Sequence, residues 1–142
     1  ANFLLGAFFL QDVAVSAYQG VIQLISSKNY QEAAGGLMAT EAYHAALVRT
    51  TLYQKNLITQ AQAISDYRDS IDGGSDDDQG ITPVASGAGP VANIAPVDGN
   101  ANTFPRASGP VLNILFLNRA SVKTGGFFPG GVNGNITTSA AS

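Results

Sequence analysis

The sequence predicts an all-α fold built on two long antiparallel helices. Apolar residues recur at alternating spacings of four and three from Leu4 to Ile25, and a second stretch ending near Gln54 repeats that pattern. Only the short connection Ser26–Lys28 separates the two stretches, which makes the helices antiparallel neighbours.

The seam of the first helix reads Leu4, Phe8, Gln11, Val15, Tyr18, Ile22 and Ile25, and its other faces are hardly polar. Phe3, Leu5, Phe9, Leu10, Val13, Val21 and Leu24 spread apolar surface round most of the circumference. A helix apolar all round is normally buried on several sides. One neighbour cannot do that, so other protein chains, or further copies of this one, are expected to cover it. No transmembrane segment is expected, because a span needs about 20 apolar residues and Gln11 and Asp12 interrupt the run. The basic region of a signal peptide is also absent.

Asn29 followed by Glu32 resembles a capping box, so the second helix is expected from about Tyr30 to Gln54. Its seam reads Ala34, Leu37, Glu41, His44 and Val48. Gly35 and Gly36 weaken it and mark either close approach of another backbone or a frayed first turn. Thr59–Ser70 predicts a shorter third helix. From Gly73 to Pro105 the chain is rich in Gly, Pro, Ala, Asn and Asp with no sustained period, which predicts an irregular segment. A short helix is expected over Val111–Leu117, with Ser108 to cap it and Pro110 suited to its first turn. The chain thus divides into a helical region, residues 1–72, and an extended wrapping segment, residues 73–142, that ends in the tail GGFFPGGVNG.

Composition narrows the function. Charged residues make up 12%, the net charge is −3 and the seven Lys/Arg are scattered, which argues against a nucleic-acid surface. The chain has no cysteine, so disulfides, thiolate metal sites and cysteine nucleophiles are excluded. The acidic run Asp72–Gly80 lacks calcium-loop spacing and reads as a solvated loop. Gly87-Ala-Gly89 opens no helix, no nucleophile elbow is present, and Asn135-Ile-Thr137 is a lone glycosylation sequon.

The informative residues are Gln11, Glu41 and His44, polar groups at seam positions. Glu41 and the only histidine, His44, stand three apart on one helical face. Facing one interior, they need either a metal or a mutual hydrogen-bond network. Asp12, further round the first helix, is placed to pair with Arg49 or Lys28.

Leu10–Tyr18 (LQDVAVSAY), Ala39–Tyr53 (ATEAYHAALVRTTLY), the segment around VLNILFLN and above all Gly125–Gly134 (GGFFPGGVNG) resemble the ferritin-like, desiccation-related proteins. The resemblance runs over nearly all of this chain but only the second half of a usual member. It implies that the two long helices are the third and fourth of a ferritin-like bundle, with helices one and two lacking here. It also implies that Glu41 and His44 match the fourth-helix metal ligands, while Gln11 stands where relatives often carry Glu.

A bundle dimetal site draws about four carboxylates and two histidines from four helices, far more than this chain offers. The expectation is therefore a non-catalytic ferritin-like structural subunit, without a cofactor, that docks its apolar helices onto partner chains. The alternative is an iron- or manganese-binding protein or oxidoreductase completed by another chain, with Glu41 and His44 as ligands and Gln11 as their neighbour. A stress-protection role and an extracytoplasmic address are implied by the resemblance alone.

Overall fold

The alternating apolar repeat does produce two long helices. In the computed structural model, which describes residues 1–140, α1 covers Asn2–Val21 and runs into a 3-10 turn, Ile22–Leu24. α2 covers Lys28–Gln54, α3 covers Ile58–Asp72 and α4 covers Ser108–Phe116. Among the described residues the rest is irregular, apart from isolated antiparallel bridges at Val84–Val91 and Gly125–Phe128.

Local chemistry differs from expectation at the helix starts. The Asn29–Glu32 box does not form: α2 begins at Lys28, with Ser27 at the N-cap and no side-chain cap bond. α4 likewise starts behind Ala107, so Ser108 lies inside the helix instead of capping it. Pro110 sits in the first turn, where its missing N–H has no intrahelical partner to lose. α2 continues through Gly35 and Gly36. A Cβ at Gly35 would only touch Ile22 Cδ1 at 3.7 Å, and one at Gly36 would meet open space. Nothing in the structure explains these two glycines.

The packing stripe of α2 is rotated from the predicted seam. Its buried residues are Ala34, Ala45, Arg49 and Leu52, whereas Leu37 and His44 are exposed. The reason lies in Arg49, which binds partners on α1 and in the wrapping segment and so turns that flank of α2 inward. One core cluster joins Phe8, Leu52, Ala61 and Ile81; another joins Val13, Ile71 and Ile114.

By length and composition alone, Asn2–Leu24 could cross a membrane. Asp12 stands in its middle, bonded to guanidinium groups from two other helices, and α2 packs along it. Those contacts pack one side of the helix against protein.

The GGFFPGG turn fastens the tail to the helices. Gly125 and Gly126 both adopt positive φ, +148° and +43°, and Phe127 N–H donates to Leu115 O at 2.9 Å. The Phe127 ring then packs 5.6 Å from Phe9. A Cβ on Gly126 would lie 2.7 Å from Leu115 O in a left-handed conformation. Gly126→Ala is therefore expected to lower stability by about 2–4 kcal/mol, combining conformational strain with overpacking. A urea melt followed by circular dichroism measures it.

Candidate functional site

α2 carries the Glu41–His44 pair on its outer side. Arg49 marks the flank of α2 turned toward α3 and the wrapping segment. Leu37, Glu41 and His44 lie roughly 80–140° round the helix from it. On α1, Phe3 and Leu10 are likewise on the side away from Asp12. On α2, Leu37, His44 and Leu47 fall within about 80° of one another and form an open face, with Glu41 at its edge and Tyr43 round the adjoining flank; Leu37 is 50%, Leu47 66%, Tyr43 76% and Phe3 of α1 84% exposed. The expected inward orientation of the pair is thus corrected: the side chain of His44 is 56% exposed and that of Glu41 26%. His44 Nδ1 stands 3.8 Å from Glu41 Oε2, too far for a hydrogen bond. Gln11 does not join them. Its Oε1 is buried without a hydrogen-bond partner, so the predicted Gln–Glu–His network is not formed.

The opposite side of α1 and α2 holds the strongest electrostatics in the chain. Arg49 Nε and Nη2 donate to the two oxygens of Asp12 at 3.1 and 2.7 Å. Asp12 therefore takes Arg49, not Lys28. Arg49 also donates to the carbonyls of Gln79, Gly80 and Asn93, tying α2 to the wrapping segment. Arg68 on α3 donates to Asp12 at 3.1 Å and to the carbonyls of Phe8 and Phe9. Both guanidinium carbons lie about 5 Å above the Phe8 ring, at 5.1 and 4.9 Å, adding cation–π attraction in a desolvated place.

Arg106, from the wrapping segment, closes the network. It donates to Asp72 and Asp78 at 2.7 Å each and to the Ser16 hydroxyl. Arg68 Nε lies 2.7 Å from Asp78 Oδ1 but out of line for a hydrogen bond, so that contact is purely electrostatic. The acidic run is therefore not a simple solvated loop: Asp72 and Asp78 are buried. Carboxylate oxygens of Asp69, Asp72 and Asp78 lie within 4.8 Å of one another. This is ligand-like spacing, but guanidinium groups already occupy Asp72 and Asp78. Burial, with the Asp78 charge beside it, pushes Asp69 up to about 6. Burial pushes Asp78 up to about 6 against the pull of Arg68 and Arg106. Asp72 is raised too, again mainly by burial.

Sequence reasoning missed Arg68, Arg106 and the inward role of Asp78. A signal existed for Arg68. The buried stripe of α3 reads Ala61, Ser65, Arg68 and Ile71, in helical steps of three and four, so the arginine occupies a seam position. Arg106 sits in a segment without period, and nothing local marks it.

Residues 1–54, the span of α1 and α2, match the family described as a ferritin-like domain. Comparison with curated proteins and with solved structures gave no match.

Proposed function

We propose that this chain is a non-catalytic, ferritin-like structural subunit that docks the open face of α1 and α2 onto helices of another chain. The observation that carries this reading is the face itself. Phe3, Leu37, Tyr43 and Leu47 stand exposed on α1 and α2, while α3 and the wrapping segment pack on the flank that carries Asp12 and Arg49. Several large apolar side chains left exposed on the same helix pair are what an interaction surface presents. The ferritin-like match over these two helices supports a helical partner, since a bundle of that type packs four.

Leu37→Glu combined with Leu47→Glu is expected to dissociate the assembly into monomers while leaving helix content unchanged. Both side chains are exposed within the chain, so the substitution costs the fold little. Retention of the assembled state by this variant would count against the proposal.

A second reading rests on the Glu41–His44 pair. Its carboxylate and imidazole share the open face and lie 3.8 Å apart. A partner that covered this face with carboxylates of its own would complete an iron or manganese site. This chain would then supply Glu41 and His44, while Gln11, expected as their neighbour, would offer only an amide. Metal analysis of native material separates the readings: near-stoichiometric iron or manganese that is lost in His44→Ala favours the second.

A further inference from the structure

Four carboxylates, Asp12, Asp69, Asp72 and Asp78, meet three guanidiniums, Arg49, Arg68 and Arg106, between α1, α2, α3 and the wrapping segment. The charges do not cancel; one negative charge is left over. Its place can be assigned from the bonds. Asp12 is shared by Arg49 and Arg68, Asp78 by Arg68 and Arg106, and Asp72 is held by Arg106. Among the described residues Asp69 is paired with none of these three guanidiniums, and it accepts from the amide of Asp78 at 3.2 Å. Beside it, Asp72 Oδ1 is buried and receives no hydrogen bond. A buried carboxylate oxygen without a donor is costly, and so is a third, partly buried carboxylate held close against two buried ones. One proton in the cluster removes the excess charge and adds a donor among carboxylate oxygens that lie within 4.8 Å of one another.

We propose that the Asp69–Asp72–Asp78 cluster holds a shared proton in the folded protein and acts as an acid-strengthened clasp on the wrapping segment. Arg106 is what the clasp holds: its guanidinium bridges Asp72 and Asp78, and its amide donates to Ser16 O at 2.9 Å. Asp76 and Asp77 in the adjoining loop add negative charge and favour the protonated form further. The raised position of Asp69, about 6, agrees in direction.

The sign follows from linkage. A carboxyl raised in the folded state binds more proton there than in the unfolded chain, so stability falls as pH rises from about 4 to about 6. Acidification from pH 7.5 to pH 5 therefore strengthens the fold.

The test is the thermal midpoint of the full chain, in the state in which it purifies, at pH 7.5 and pH 5. A parallel His44→Ala background removes the only imidazole. The midpoint is expected to rise on the order of 5 °C on acidification. Asp69→Asn, which removes the charge and keeps a donor, should match or exceed the parent at pH 7.5 and lose the pH dependence. A parent midpoint that is flat or falls on acidification overturns the proposal, as does Asp69→Asn keeping the full dependence. Calcium chloride at millimolar concentration is the third arm. If it raises the midpoint at pH 7.5 and abolishes the pH effect, a cation rather than a proton neutralises the cluster, and the proposal fails.

Discussion

Arg68→Met is expected to lower the unfolding free energy by about 3–5 kcal/mol, the cost of breaking a buried ion pair by removing one partner. Arg68 is fully buried and reaches Asp12, Asp78 and the carbonyls of Phe8 and Phe9. Methionine fills part of the volume but donates nothing. Asp12 and Asp78 would keep one guanidinium each, Arg49 and Arg106, while the charge excess of the network doubles. Domains have only about 5–15 kcal/mol in hand, so this single change brings the chain near its unfolding threshold. Equilibrium urea unfolding measures it. A loss below about 1 kcal/mol, the worth of a surface pair, would mean that the network does not govern stability.

Gly20→Ala should be comparably damaging, for a steric reason. A Cβ at Gly20 would overlap the carbonyl oxygen of Arg106 and lie 2.8 Å from its carbonyl carbon. Both colliding groups are main chain, so neither can rotate away. Either α1 bends or the wrapping segment lifts, and lifting it breaks the Arg106 N–H bond to Ser16 O and loosens the buried guanidinium. Overpacking alone costs about 1–3 kcal/mol, and the disturbed ion pairs add to that. Hydrogen exchange should show faster exchange at the Arg106 amide in this variant, with amides in the middle of α2 unchanged. Equal exchange in both proteins would show that the contact is not tight.

Much of the fold was legible in the sequence, and the reasons can be located. The four-and-three repeat from Leu4 to Ile25 gave α1, and the short Ser26–Lys28 link gave its antiparallel partner. The loss of periodicity after Gly73 marked the irregular segment. What failed was rotation about the α2 axis. Leu37, Glu41, His44 and Val48 make as regular a seam as Ala45, Arg49 and Leu52, and the apolar pattern favours the former. The charge partners of Arg49 decide for the latter, and these come from Asp12 and from carbonyls far away in sequence. Periodicity reports which residues share a face, and long-range pairing sets which face turns inward.

The candidate site was legible to the same degree. Glu41 and His44 do share a face, as their spacing requires, but that face is open in the chain. Of the two partners expected for Asp12, Arg49 and Lys28, it takes Arg49. Arg106 and Asp78 lay beyond sequence reasoning because they meet across the fold, where no local spacing records the encounter.

The open face is proposed as a docking surface for another chain. Light scattering on the eluting native protein tests it most directly. A particle mass of at least twice the 14.6 kDa of the chain, reduced to the monomer value by the Leu37→Glu, Leu47→Glu variant, is the predicted result. A stable, soluble 14.6 kDa monomer that associates with nothing would contradict it.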